Sequence, residues 1–359
     1  MGAHPLGSFV WPLVWLSLAT VCTAAPNQAT SPVPSADIGR AKIELVFSAM
    51  RTQSVFAPEP RALLVAALEG VRSAARAAAS SADVETPSFA GGSDAAVNDF
   101  RLFAQAAERI AGAAGLAPEV ARNAAISGML AVTPDCSTYY FASGSADPRG
   151  VPPASNVSEV RTDVAVPELP TALLAGGIGQ IAWTDFSTTG TLSAKAAMDG
   201  LLAKGARGWI IDLRGAHGNQ GLVQAASWFV PSGVLWREVD RAGKATNIEA
   251  RDGLLLEKKY QLPIAIAIDG MTFGGPEVLA MALQARGRAR VFGERSGGCF
   301  GRPVQVDLHD GSYVGVTSLL YTHPDSETKF NNQGLPPDVR VASDRAIEAA
   351  AAYLLTVVR

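Results

Sequence analysis

Three glycine-rich turns are the segments of this chain where chemistry could take place. Each directly follows an apolar stretch that is expected to be a buried strand, and they are residues 212–219 (DLRGAHGN), 269–277 (DGMTFGGPE) and 293–298 (GERSGG). Backbone N–H groups in such turns can bind an anion. None of the three matches GxxxxGK[ST] or GxGxxG, so nucleotide binding has little support. Taken singly, each is better explained as a tight turn.

Charge and residue counts exclude several classes of function. The 359 residues carry a formal net charge of −3, with 18% charged and 48% hydrophobic residues. A near-neutral chain without a basic stripe is not typical of a nucleic-acid-binding protein. The four histidines and three cysteines show no metal-ligand spacing, so we expect no metal site and no cofactor.

The elements that position the turns alternate between strand and helix from residue 177 onward. Apolar strands separated by helices predict an α/β fold with a mainly parallel sheet covered on both faces. The carboxyl ends of parallel strands share one edge, so the turns that follow them should meet there. A hairpin is expected around Asp310-Gly311. The predicted strands are 178–186, 209–213, 264–268, 303–308 and 313–321, and the predicted helices within this part are 192–204, 221–229 and 276–285.

Composition divides the rest of the chain into segments. Apolar positions recur at helical spacing through residues 37–142, which predicts an N-terminal helical domain. Residues 143–172 are rich in Gly, Pro and Ser and are interpreted as a linker. The α/β core is placed at 173–345 and a C-terminal helix at 346–359.

The N-terminus has the pattern of a secretory signal. No charged residue occurs before Asp37, and an apolar run at 9–18 is followed by small residues near Ala24. We interpret residues 1–24 as a signal peptide and 25–36 as a flexible spacer, so the protein is expected to be exported to the periplasm or the extracellular space. The alternative is an uncleaved segment that anchors the chain in a membrane.

Several segments, in order along the chain, resemble motifs of the tail-specific or C-terminal-processing proteases, the S41 serine peptidases. The resemblance implies an S41-type α/β core and a peptide or protein segment as partner. Only about 35 residues separate the "DPHT"-like stretch from the first core strand, too few for the PDZ domain that most of these proteases carry there. The matching segments are GMLAVTPDCSTY at 128–139, GARGWIIDLR at 205–214, the strand and helix at 265–284, GER at 293–295, DGS at 310–312 and GLPPD at 334–338.

The resemblance also implies that the catalytic positions are degenerate. Gly274 stands where the family has its nucleophilic serine, and glycine cannot form an acyl-enzyme. Arg302 replaces the lysine base, and a guanidinium stays protonated. Gln305 matches the assisting glutamine, and Ser137 replaces the histidine of "DPHT". Gly218 and Gly275 match the oxyanion hole, whose N–H groups could still bind a carbonyl or carboxylate.

These positions favour a catalytically inactive or weakly active pseudoprotease that retains a peptide-binding cleft. One alternative is an active peptidase with a relocated nucleophile, Ser137 or Ser296. Another is a structural or assembly protein. His217 is interpreted as a turn residue rather than a replacement base, and Thr272 lies two residues before the nucleophile position.

Two cysteines remain if the signal is cleaved, namely Cys136 and Cys299. In the family, the loops that contain them line the side of the active site. An even number of cysteines in an exported protein makes a disulfide between them a reasonable hypothesis. Two buried free thiols are an equally good alternative.

Overall fold

The computed structural model describes residues 36–78, 84–143 and 167–358. The predicted signal peptide, nearly all of the spacer and most of the linker lie outside these residues. Among the described residues the helices are α1 (Ala36–Gln53), α2 (Pro60–Ala77), α3 (Ala96–Ala113), α4 (Pro118–Leu130), α5 (Thr188–Ala203), α6 (Leu222–Ser227), α7 (Gly275–Ala285) and α8 (Ala346–Val357). The strands are β1 (Tyr139–Phe141), β2 (Thr171–Leu174), β3 (Ile178–Ala182), β4 (Gly208–Asp212), β5 (Val234–Val239), β6 (Ala245–Glu249), β7 (Ile264–Ile268), β8 (Ala289–Gly293), β9 (Gly301–Asp307), β10 (Tyr313–Thr322) and β11 (Val339–Arg340).

A six-stranded sheet has the order β11-β8-β7-β4-β3-β2, and only β2 runs antiparallel to its neighbour. Both faces are covered, as the apolar sequences of its central strands require. On one face Ile210 belongs to a core with α8, while Trp209 and Ile211 point to the larger core shared with α5, α6 and α7. The expected α/β fold with a mainly parallel sheet is confirmed.

The N-terminal helices pack around their own core, which also includes Leu308, Val314 and Val316 near and within the β9–β10 hairpin. Helices α2 and α4 approach each other closely. A Cβ atom added at Gly70 would lie 2.2 Å from the carbonyl oxygen of Ala124, so this crossing requires glycine. The helices and the hairpin therefore share apolar side chains.

The second sheet has the order β1-β10-β5-β6, with β9 also paired to β10. The hairpin expected at Asp310-Gly311 is present as β9 and β10. Strands β5 and β6, which form a second hairpin, were not predicted from the sequence. Their side chains are mostly half-buried or exposed, so the segment lacks the continuous apolar run that identified β4 and β7.

Some boundaries differ from the predictions for local physical reasons. Strand β3 ends at Ala182 rather than at residue 186. Helix α5 begins earlier than expected because the Ser187 hydroxyl accepts a hydrogen bond from the Gly190 N–H at 3.0 Å and caps the helix. Helix α6 ends at Ser227, two residues before the predicted end.

Candidate functional site

The Gly274 turn, residues 269–275, connects the end of β7 to the start of α7. Gly274 has φ +75° and ψ −124°, a conformation that residues with a side chain rarely adopt. A Cβ atom at this position would lie 3.0 Å from Oδ1 of Asn219 and 3.2 Å from the carbonyl oxygen of Gly218. The turn that follows β4 therefore packs directly against the predicted nucleophile position.

The two predicted oxyanion donors are arranged differently from the expectation. The N–H of Gly275 donates to the carbonyl oxygen of Gly218 at 2.7 Å, so Gly218 supplies an acceptor to this contact. A Cβ atom at Gly275 would lie 2.6 Å from that oxygen, and only a residue without a side chain permits so close an approach. In this arrangement the Gly275 N–H already has a partner and a ligand would have to displace it.

Glu277, in the first turn of α7, is fully buried and its carboxylate accepts four hydrogen bonds. The donors are the N–H groups of Gly274 (2.8 Å), Gly298 (2.7 Å) and Cys299 (2.7 Å) and the hydroxyl of Ser296 (2.5 Å). Burial raises the pKa of Glu277, although these hydrogen bonds act in the opposite direction. We call Glu277 and its four donors the Glu277 network. It joins the Gly274 turn to the loop after β8.

The two serines considered as relocated nucleophiles are both buried and both hydrogen-bonded. Ser296 donates to Glu277 and accepts from the N–H of Leu335 at 2.7 Å. Ser137 donates to the carbonyl oxygen of Gly301 at 3.0 Å. A peptide carbonyl cannot remove a proton from a hydroxyl, so the Ser137 contact does not activate it.

The predicted base and its assisting residue lie on β9. The Arg302 guanidinium pairs with the carboxylate of Glu238 on β5 at 3.2 Å. The side-chain amide of Gln305 donates to the hydroxyl of Tyr139 at 3.3 Å. Arg302 thus forms an ion pair within the second sheet.

The two other residues weighed near the site are held by backbone contacts. The N–H of His217 donates to the carbonyl of Thr184 at 3.3 Å, and its own carbonyl accepts from Phe186 at 3.2 Å. Thr272 is fully buried and its hydroxyl donates to the carbonyl of Leu213 at 2.9 Å. Both have the contacts of turn residues.

Cys136 and Cys299 are joined by a disulfide in the structure, with Cα atoms 5.5 Å apart. Cys136 is exposed whereas Cys299 is buried. The backbone N–H of Cys299 belongs to the Glu277 network. The disulfide therefore connects the loop after α4 to the network that holds Gly274.

The comparison with known families decides what kind of domain surrounds this site. Residues 177–341 match the model of peptidase family S41. This segment is an S41 peptidase domain. It contains the Gly274 turn, the Glu277 network and the ion pair of Arg302.

Curated relatives of the S41 domain include processing peptidases and a nisin-resistance protein. The chain is 30% identical over 184 residues to the chloroplastic C-terminal processing peptidase of Tetradesmus obliquus, covering 50% of this chain and 38% of that protein. It is 26% identical over 189 residues to the carboxy-terminal processing protease CtpA of Bacillus subtilis, covering 52% and 39%. The nisin-resistance protein of Lactococcus lactis is 27% identical over 156 residues, with 39% and 49% covered. The matched part thus spans less than half the length of each relative.

A solved lipoprotein from Streptococcus agalactiae shares the fold over a longer part of the chain. The two superpose with a TM-score of 0.53 at 14% identity, covering 81% of this chain and 97% of the other. At this identity the similarity concerns the fold. It extends beyond the S41 domain, so the arrangement of these elements is not confined to this chain.

Asn219 is the residue near the S41 site that the sequence-based reasoning missed. It is exposed and directly follows Gly218 in the sequence. Its Oδ1 atom is the nearest atom to a Cβ added at residue 274. Its place directly after Gly218 in the turn was the available signal.

Within residues 36–78, 84–143 and 167–358, no group of three or more His, Cys, Asp or Glu side chains could hold a metal ion. In the same residues, no helix combines the length and apolar character needed to cross a membrane.

Proposed function

We propose that this protein binds a peptide or protein segment beside the Gly274 turn of its S41 domain without cleaving it by a nucleophile at that position. The observation that supports this proposal is Gly274 itself. It stands where the family places its serine, at the start of α7, and it has no hydroxyl group. The site therefore retains its position in the fold while lacking the group that attacks a peptide bond.

The remaining candidate groups support the same proposal. Arg302, at the position of the lysine base, is paired with Glu238 and stays protonated. Ser137, at the position of the histidine, donates to a backbone carbonyl. Neither contact provides a base for a nucleophile.

A peptide is the proposed ligand because the relatives from Tetradesmus obliquus and Bacillus subtilis are named as peptidases that process carboxyl termini. Its carbonyl or terminal carboxylate would replace the Gly218 oxygen as the acceptor of the Gly275 N–H. The exposed Asn219 amide lies at the same place and can hydrogen-bond to a peptide backbone. Binding thus requires the turn after β4 to move away from α7.

We further propose that the protein is exported and acts in an oxidising compartment. The charge-free N-terminus supports this, as does the pairing of Cys136 with Cys299, since disulfides persist outside the reducing cytosol. Residues 1–24 would be removed as a signal peptide, with 25–36 as a spacer before a helical domain at 37–142. Anchoring of an uncleaved N-terminus in a membrane is the alternative, which the mass of the exported protein would distinguish.

A fluorophosphonate probe tests whether any serine is reactive. The purified protein should show no covalent labelling and should not degrade unfolded casein. Labelling that is lost in Ser296→Ala or Ser137→Ala would overturn the proposal in favour of a relocated nucleophile. Ser296 is the more informative of the two because its hydroxyl already contacts a carboxylate.

Fluorescence anisotropy with fluorescein-labelled casein peptides tests binding. We expect saturable binding that Asn219→Ala weakens about fivefold, the effect of one lost hydrogen bond. Lys258→Ala, an exposed substitution outside the three turns, is the matched control and should not change the affinity. If none of these peptides binds, a structural or assembly role is favoured instead.

A further inference from the structure

The Cys136–Cys299 disulfide joins two distant parts of the chain and is open to solvent on one side. The cysteines are separated by 163 positions in sequence. Cys136 is exposed in the loop after α4, whereas Cys299 is buried in the loop after β8. Cys136 is therefore the half of the disulfide at which a thiolate from solution would attack, since exposed disulfides are the ones most readily exchanged.

A short series of contacts leads from this disulfide to the candidate site. The N–H of Cys299 donates to Oε2 of Glu277 at 2.7 Å, and the N–H of Gly274 donates to the same oxygen at 2.8 Å. Position 274 is thus two hydrogen bonds from the cystine, through a single buried atom. A displacement of the Cys299 backbone would change the position or the hydration of that oxygen.

Opening the disulfide should be a local event because other contacts hold the loop after α4. Ser137 donates to the carbonyl of Gly301 at 3.0 Å, and Asn332 donates to the carbonyl of Pro134 at 3.0 Å. Asp135 accepts from the hydroxyl of Thr317 on β10 at 2.9 Å. These bonds do not involve sulfur and can persist in the reduced protein.

We propose that the Cys136–Cys299 disulfide is a redox-controlled clamp on the Gly274 turn. In the oxidised protein the clamp holds the Glu277 network closed, and a dithiol reductant opens it and loosens the turn. The regulatory meaning of this clamp rests on the proposed peptide-binding role of the turn. Its structural effect does not depend on that role and is measured without a ligand.

The chemistry is an ordinary thiol–disulfide exchange with a dithiol, either a small molecule or a dithiol oxidoreductase. One thiolate of the dithiol attacks the Cys136 sulfur, a mixed disulfide forms and Cys299 leaves as a thiolate that takes up a proton. The second thiolate then attacks the mixed disulfide and releases Cys136, which is protonated in turn. Two electrons pass to the protein, which gains two thiols, while the dithiol becomes a disulfide.

Hydrogen exchange measured by mass spectrometry tests the clamp in the full chain with Cys22→Ser, which removes the remaining cysteine. Dithiothreitol is the probe, and thiol titration should count no free thiol before reduction and two afterwards. We expect exchange in segments 272–280 and 296–302 to accelerate about tenfold on reduction, as for a local opening. Exchange across β7 should remain slower than in these two segments, because the central strand is held by its neighbours.

The double variant Cys136→Ser with Cys299→Ser is the matched control. Without reductant it should exchange as the reduced protein does, and dithiothreitol should have no further effect. Three outcomes would overturn the clamp: two free thiols before reduction, unchanged exchange at 272–280 after reduction, or exchange of β7 as fast as that of 272–280, which would mean global unfolding. A protein that cleaves peptides or fails to bind them contradicts the proposed function and leaves this result unaffected.

Discussion

Two positions at the start of α7 differ sharply in what surrounds them. Glu277 is buried and its carboxylate has four hydrogen-bond donors. Three residues earlier, Gly274 has no side chain, and Asn219 and Gly218 lie against it. In the proposed function, the contacts that hold this S41 site in shape are present while the group that would perform the chemistry is missing.

The two positions also differ in how much their loss would affect the free energy of unfolding. A buried donor or acceptor that has no hydrogen-bond partner lowers the free energy of unfolding. Loss of Glu277 would leave four donors without their acceptor and would therefore destabilise the fold. In the proposed function, the loss of a catalytic hydroxyl at position 274 affects only the reaction. Four predictions test this difference, beginning with the largest expected effect.

Removal of the disulfide should cause the largest loss of stability. In the chain-entropy model, a cross-link across this many residues contributes roughly 5 kcal/mol to the free energy of unfolding. Cys136→Ser with Cys299→Ser should show this loss in urea unfolding followed by tryptophan fluorescence. A change of less than about 1 kcal/mol would mean that the unfolded chain is not restrained by the bond in the way this model assumes.

Glu277→Ala should lower the free energy of unfolding by about 3 kcal/mol or more, because three N–H groups and a hydroxyl lose a buried acceptor. Urea unfolding measures this loss. Glu257→Ala is the control, since its side chain is 75% exposed, and should leave stability nearly unchanged. Equal effects of the two substitutions would mean that the four buried hydrogen bonds of Glu277 do not stabilise the fold, and the contrast with Gly274 would fail.

Gly274→Ala should be destabilising by about 1–2 kcal/mol, because alanine is strained at positive φ. Its Cβ would also meet Oδ1 of Asn219 at 3.0 Å. Gly270→Ala, four residues earlier in the same turn, has no atom within 4 Å of its added Cβ and should change little. Thermal unfolding of both variants measures the difference, and similar melting temperatures would show that the Gly274 turn adapts to a side chain.

The sequence predicted the strands that support this site better than the backbone contact between Gly275 and Gly218 within it. Strands β4 and β7 were identified because both are continuous apolar runs. The proposed loss of the catalytic groups rests on the residue types at 274, 302 and 137. The contact between the Gly275 N–H and the Gly218 carbonyl could not be foreseen. It depends on how closely two backbones approach, and the glycines that permit this approach do not specify it.

Strands β5 and β6 were missed for a related reason. The two strands pair with each other and β5 also pairs with β10, while their own side chains are largely exposed or half-buried. A segment of this kind has no burial pattern that a single sequence reveals. Ion pairs across this sheet, such as Arg302 with Glu238, are hidden from the sequence for the same reason.

The smallest expected effect concerns a second carboxylate, Asp310, whose surroundings contrast with those of Glu277. Asp310 is 39% exposed and accepts from the buried Lys42 ammonium at 2.6 Å, and its pKa is lowered to about 2. A carboxyl whose pKa is lower in the folded state stabilises the fold above its unfolded pKa, near 4, and this stabilisation is lost as pH falls towards 2.

Because Asp310 is accessible to solvent, we expect its contribution to be about 1 kcal/mol or less. The free energy of unfolding of wild-type protein should therefore fall slightly more between pH 5 and pH 2.5 than that of Asp310→Asn, in urea titrations at low salt. Glu277 should act with the opposite sign, since burial raises its pKa in the folded state and favours the protonated form. A wild-type protein that loses no more stability than Asp310→Asn over this range would show that the pair of Asp310 with Lys42 is screened by solvent.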